Sequence, residues 1–147
     1  MPPSTILLVD DHSLIRQDLK KALAGSRYRV IDEAADGVEA LKKADEHKPD
    51  IVLTNIRMPA LNGLELLAAL KKQADPPRVI ICTMMSNKGY LARAQSLGAD
   101  GYIDKVCLAG DTPRLVLILD EISGYPLGHL EKGMTVINGT QDLKNLG

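Results

Sequence analysis

The 147-residue chain has no phenylalanine, no tryptophan and only four tyrosines. Its core must therefore be built from Leu, Ile, Val, Ala and Met. The scarcity of aromatic platforms counts against a flavin sandwich or a base-stacking surface. The two cysteines, Cys82 and Cys107, form no CxxC pair and have no histidine cluster beside them. Two isolated thiols in an unstapled chain point to a reducing compartment. No apolar run approaches the ~20 residues that a bilayer span requires, and Met1-Pro2-Pro3-Ser4 lacks a basic leader region. The expectation is a cytoplasmic protein without membrane contact. Charge of either sign is not in excess: 18 Lys+Arg face 19 Asp+Glu, a formal net of -1, so no global field draws the chain to nucleic acid or anionic lipid. The length suits a single core.

What is present is a regular alternation. Ile6-Leu7-Leu8-Val9 is a short continuous apolar run, as in a parallel strand buried on both faces. After Asp10-Asp11 the period changes: Ile15, Leu19, Ala22 and Leu23 form the stripe of an amphipathic helix, with Ser13 as its expected N-cap. Further strands are expected at Tyr28–Ala34, Ile51–Thr54, Val79–Cys82 and Gly101–Asp104. Helices are marked by Val38, Leu41 and Ala44, by Leu64, Leu66, Leu67 and Leu70 after an Asn62-Gly63 turn, and by Tyr90, Leu91, Ala94 and Leu97 with Gly98 just past the end. Leu115, Ile118, Leu119 and Ile122 mark the last, opened by Thr112 as cap and Pro113 at its first position. Five strands, each followed by a helix, predict an α/β fold. The expected form is a doubly wound, five-stranded parallel sheet of flavodoxin-like order 2-1-3-4-5 with helices on both faces.

Ligands of such sheets sit at the carboxyl ends of the strands, near the switch point between the first and third. The residues there are Asp10-Asp11, Asn55, Thr83 and Asp104-Lys105. Two adjacent carboxylates favour a compensating cation. Mg²⁺ suits one or two carboxylates plus waters and a phosphate oxygen. Lys105 could pair with a phosphoryl oxygen, and Thr83 offers a hydroxyl donor to another. Asp104 is read as a solvated loop charge and His12 as a surface histidine at a helix start.

The segments ILLVDDHSLIR, PDIVLTNIRMPALNGLELL, VIICTMMSNKGY and LGADGYIDK resemble the signatures of bacterial two-component response-regulator receiver domains, over roughly residues 5 to 124. The resemblance implies that Asp10 and Asp11 are the metal-binding acidic pair, completed by position 55. Thr83 would be the hydroxyl residue that turns toward the phosphoryl group, Tyr102 the aromatic that switches with it, and Lys105 the lysine that contacts phosphate. Asn55 stands where the family has its phosphate-accepting aspartate. An amide cannot attack phosphohistidine to give an acyl phosphate, and it offers a metal one neutral oxygen. Mg²⁺ binding is thus expected to be weakened, and normal aspartyl phosphorylation blocked. Two origins fit: a natural pseudo-receiver, or an engineered substitution. A second departure is Val106, where many members have a cis proline. A cis bond before Val106 would cost ~2.5–4 kcal/mol, so a trans bond or a shifted loop is expected.

The resemblance further implies a sensor histidine kinase or an effector protein as partner. The opening DDHSLIR is similar to the subfamily that joins a receiver to a DNA-binding helix-turn-helix domain. Either a receiver cut from such a regulator or a stand-alone receiver fits, without direct nucleic-acid contact by this chain. The expected division is a receiver at 1–124 and a tail or linker stub at 125–147. In the tail, Met134-Thr135-Val136-Ile137 reads as a strand or as part of a frayed end. Val116 and Leu117 point away from the buried face of the fifth helix, and the partly apolar tail follows. Either the tail covers them or a second chain does. Because receivers commonly dock through the fourth helix, fifth strand and fifth helix, a homodimer through that face is expected. The alternative function, a flavodoxin-like enzyme or electron carrier, lacks a Ser/Thr-rich phosphate loop, an aromatic pair and a GxSxG elbow.

Overall fold

The computed structural model describes residues 4–84, 88–104, 112–123 and 134–137, with the backbone alone for residues 88, 112, 113 and 137. In chain order the elements are β1 (Ser4–Val9), α1 (Ser13–Leu23), β2 (Tyr28–Ala34), α2 (Gly37–His47), β3 (Ile51–Thr54), α3 (Gly63–Lys71), β4 (Arg78–Thr83), α4 (Lys88–Ser96), β5 (Gly101–Asp104), α5 (Thr112–Ser123) and β6 (Thr135–Ile137). The sheet order is β2-β1-β3-β4-β5-β6, and every pairing is parallel. The predicted five-strand order is present, with one strand more than the five expected. Residues 135–137 lie beside β5, with Tyr102 opposite Val136. Of the two readings of that segment, the strand is the one observed.

Strand side chains alternate between faces, and the core divides accordingly. Ile6 and Leu8 of β1 belong to one cluster, with Leu19 and Leu23 of α1 and Leu115, Ile118, Leu119 and Ile122 of α5. Leu7 and Val9 belong to the other, with Ala40 and Ala44 of α2, Leu64, Leu66, Leu67 and Leu70 of α3, and Ala94 of α4. Aliphatic residues fill both layers, as the missing Phe and Trp require.

Some local expectations need correction. Val38 is exposed, and α2 instead buries Gly37, Ala40 and Ala44, small residues that let it lie close to its neighbours. The N-cap of α1 is His12, without a side-chain cap, and Ser13 is already helical. Asn62 is more than a turn residue: it caps α3 reciprocally with Glu65, each side chain accepting from the other's backbone N–H. Gly98 follows α4 with φ 90°, the left-handed position expected of it. Val116 is half-buried against the α1–α5 cluster, whereas Leu117 is 48% exposed. The tail strand packs on the opposite cluster, through Met134 and Val136. Among the described residues it therefore does not fold back over Leu117.

The β2 edge is held by charge. Arg16 and Lys20 of α1 pair with Glu33 at 2.9 and 2.7 Å, and Lys43 and His47 of α2 pair with Asp32 at 3.2 and 3.1 Å. The Lys20 hydrogen bond, aided by Arg16, holds the Glu33 carboxyl below its usual range against the opposing effect of burial. For Asp32 burial acts upward, but the Glu33 N–H together with Lys43 and His47 outweighs it, and the pKa falls. Depressed carboxylate pKa values stabilise the fold above their ordinary range and lose that contribution as pH falls through the folded values. Amide exchange in β2, measured as pH is lowered below about 4, should therefore accelerate before exchange in central β1. Equal acceleration of the two strands would contradict this.

At the other end of β2, Tyr28 donates its hydroxyl hydrogen to Asp120 of α5 at 2.6 Å. The Arg27 guanidinium, which lies over the Tyr28 ring, donates to the same carboxylate. Burial first, then Asp120, raises the Tyr28 pKa. This cluster joins the first crossover to the last helix.

Candidate functional site

The ladder brings the carboxyl ends of the central strands together. Val9 is opposite Thr54, so Asp10 and Asn55 emerge from adjacent strands, and the Asn55 backbone N–H donates to the Val9 carbonyl at 3.0 Å. Thr83 ends β4 opposite Asp104 of β5, and Tyr102 lies opposite Ile81. Asp10 is only 2% exposed and Asn55 7%, while Asp11 is open to solvent. Thr83 and Tyr102 are buried. Asp10, Asp11, Asn55 and Thr83 therefore converge on one sheet end, with Tyr102 two positions before the end of β5. Lys105 lies outside the described residues, as do Val106 and Cys107.

Asp104 is not the solvated charge expected of it. It is 7% exposed at the end of β5. The Tyr102 phenol is pushed up to about 12, first by burial and then by the Asp104 charge, so it remains protonated at neutral pH.

The charges at the switch point are arranged around Asp10. Its carboxylate accepts from the His12 backbone N–H at 2.9 Å. The His12 ring is 67% exposed, as a surface histidine would be, yet its Nδ1 lies 3.1 Å from a carboxylate oxygen of both Asp10 and Asp11. The three residues bring their ligand atoms within 4.8 Å of one another. Arg16, one helical turn beyond His12, donates to the Asp10 carbonyl oxygen at 2.5 Å and so ties the acidic turn to Glu33 of β2. The sequence reading missed both roles. The signal for them was the run Asp10-Asp11-His12 with a basic residue four positions on.

Asn55 is held by a bond that an aspartate could not make. Its Nδ2 donates to the Arg57 carbonyl at 3.1 Å. The loop beyond is anchored by Gly63, whose N–H donates to the Ile56 carbonyl at 2.8 Å, and by Gly37, whose N–H donates to the Leu61 carbonyl at 3.1 Å. The N-termini of α2 and α3 thus brace the loop after β3 from two sides.

Comparison with known proteins agrees with this geometry. The response regulator receiver domain family matches residues 6–117. The chemotaxis protein CheY of Listeria monocytogenes is 40% identical over 100 residues, which cover 68% of this chain and 84% of that protein. The nitrate/nitrite response regulator protein NarL of Escherichia coli is 33% identical over 104 residues, 70% of this chain but only 48% of that longer protein. The signal receiver domain of a NarL response regulator from Mycobacterium tuberculosis superposes with a TM-score of 0.74 at 30% identity, covering 84% of this chain and 99% of that one.

The chain belongs to the response regulator receiver domain family, the signalling module of two-component systems. Domains of this family typically hold Mg²⁺ at an acidic cluster, the place taken here by Asp10, Asp11 and His12. The assignment gives no support to a flavodoxin-like enzyme or electron carrier. Among the described residues, no helix is long and apolar enough to cross a membrane.

Proposed function

We propose that this chain is a cytoplasmic receiver module that signals without aspartyl phosphate, because Asn55 occupies the phosphoacceptor position. The observation that carries the reading is the place and bonding of Asn55. It leaves the end of β3 beside buried Asp10, and its amide N–H is committed to the Arg57 carbonyl. An aspartyl phosphate forms through a carboxylate oxygen acting as the nucleophile. Here that oxygen is replaced by a group held as a donor.

Two carboxylates and one amide oxygen still make a hard donor set that fits Mg²⁺. Asp10, Asp11 and Asn55 would hold the ion, more weakly than three carboxylates would. When bound, the metal supplies positive charge against phosphoryl oxygens. Thr83 and Lys105 are assigned to the phosphoryl group, and Thr83 with Tyr102 to the switch. The receiver occupies 1–124 and the tail 125–147. Partners are a sensor histidine kinase or an effector protein. The likeness to a DNA-binding response regulator of the LuxR family from Staphylococcus aureus supports an origin in such a regulator, with no nucleic-acid contact by this chain itself.

Intact mass after incubation with Mg²⁺ and acetyl phosphate tests the central claim. The mass should remain unchanged. A gain of one phosphoryl group mapped to Asn55 would overturn it.

The same reading includes a homodimer through α4, β5 and α5, on which Leu117 is an exposed aliphatic. Sedimentation of the full chain should show self-association that a Leu117→Glu substitution weakens. A wild-type chain that stays monomeric at high concentration removes the dimer and leaves this face to an effector.

A further inference from the structure

β2, the outer strand on one side of the sheet, and β5, the strand beneath the short outer β6, are covered in different ways. β2 carries Asp32 and Glu33 in ion pairs with four basic side chains from α1 and α2, so its edge is guarded by charge. β5 is covered by a neighbouring strand instead. Its segment Gly101-Tyr102-Ile103-Asp104 is buried at every position, and what lies along it is β6, three residues long.

That cover is short. The Thr135 N–H donates to the Asp100 carbonyl at 3.1 Å, and the register runs for three pairs only. Met134, Thr135 and Val136 remain partly exposed, whereas Tyr102 and Ile103 beneath them are buried. Met134 and Val136 pack on the cluster that contains Tyr102, Ala94 and Ala99. Short, partly exposed segments of this kind open locally at lower cost than a buried core does. Removing it would bare a strand edge flanked by an apolar cluster, the arrangement that accepts an added strand.

We propose that the outer edge of β5 is a strand-accepting docking surface, filled in the single chain by its own residues 134–137 and fitted to the same segment of a second copy. The complementarity needed between two copies is already present within one: the register, the Thr135–Asp100 bond and the seats for Met134 and Val136. Exchange requires only that the cis segment leave. A tethered segment competes at an effective concentration on the order of millimolar, so the intact chain keeps its own strand until the tether is disfavoured or a second copy is abundant. The proposal does not depend on Asn55 or on phosphate. It goes beyond the dimer reading by naming the segment exchanged and the edge that receives it.

The experiment uses the full chain carrying Thr135→Pro, which removes the N–H donor to Asp100, and a synthetic peptide of residues 131–139, EKGMTVING. Hydrogen exchange of the β5 amides should be at least tenfold faster in the variant than in wild type. The peptide at a few millimolar, the scale of the tether, should restore protection in the variant. A scrambled peptide should not, and wild type should take up neither. Unchanged β5 exchange in Thr135→Pro, or equal protection by the native and scrambled peptides, overturns the proposal. If Thr135→Pro fails to fold, Val136→Asp, which keeps the backbone donor and removes the apolar seat, takes its place under the same criteria. A full chain that stays monomeric in sedimentation at high concentration likewise overturns the second copy as the occupant of this edge.

Discussion

Asn55→Asp should take up close to one phosphoryl group per chain from acetyl phosphate and Mg²⁺, where the wild-type chain takes up none. The substitution restores a carboxylate oxygen at the end of β3, next to Asp10, whose own carboxylate is buried and already bonded to the His12 N–H. The reaction would form a bond from that oxygen to phosphorus and release acetate from the donor. Intact mass followed by peptide mapping checks it, and an unmodified variant would mean that Thr83, Lys105 or the metal pair no longer forms a working pocket.

The gain should cost stability in the absence of metal. The new carboxylate faces two others without a cation, and repulsion among them opposes folding. It also cannot donate to the Arg57 carbonyl, so the bond now made by Asn55 is lost. A lost hydrogen bond of this kind costs about 1 kcal/mol, and the repulsion adds to it. In chelator, Asn55→Asp should therefore melt below wild type. With Mg²⁺ present the order should narrow or reverse, because the third carboxylate now binds the ion. A variant more stable than wild type in chelator would show that the three carboxylates do not share one field.

The second large effect is expected from Gly63→Ala. A Cβ at Gly63 would lie 2.0 Å from the Asn55 carbonyl oxygen and 3.0 Å from the Ile56 Cα, both backbone atoms. A flexible side chain could move aside; these atoms cannot move without shifting the end of β3. Overpacking typically costs 1–3 kcal/mol, and we expect about 3 kcal/mol at this position because the obstacle is main chain. Gly98→Ala is the control. It has φ 90°, but its Cβ would meet only the Lys71 Cγ at 3.8 Å, so its cost is backbone strain of roughly 1–2 kcal/mol. Chemical denaturation of both variants checks the order. In the background of Asn55→Asp, Gly63→Ala should also abolish phosphoryl uptake, since it displaces the residue that carries it, whereas Gly98→Ala should leave uptake intact.

These two sites show which parts of the molecule could be read from sequence. Five strands and five helices were legible because apolar runs and helical stripes alternate: Ile6–Val9 and Ile51–Leu53 have no polar break, Asp32 and Glu33 interrupt the second strand, and Leu64, Leu66, Leu67 and Leu70 all turn inward. The convergence of Asp10, Asn55 and Thr83 followed from strand order alone. Other features were not legible because they depend on neighbours distant in sequence. Val38 fits a helical stripe, yet the close approach of α2 to the loop at Leu61 favours the small face of Gly37, Ala40 and Ala44. The left-handed backbone of Ala60, φ 68°, has no sequence marker. Asp104 looked like a loop charge because its burial depends on β4 beside it. The reciprocal cap at Asn62 and Glu65 was legible in principle, since Asn followed three residues later by Glu is its usual spacing.

The order of strands also sets the order in which the sheet can be completed during synthesis. Beyond β1 and β2, each later strand lies outward on the same side, so β3, β4, β5 and β6 can dock in the sequence in which they are made. Domains acquire structure as they emerge, at roughly 5–20 residues per second. The 30 residues from Lys105 to Met134 separate β5 from β6, which corresponds to a few seconds at that rate. Until β6 emerges, the strands already made can pair among themselves while the edge of β5 has no partner of its own chain. If two copies exchange this strand as proposed, polysomes would bring them together before either has closed its own edge.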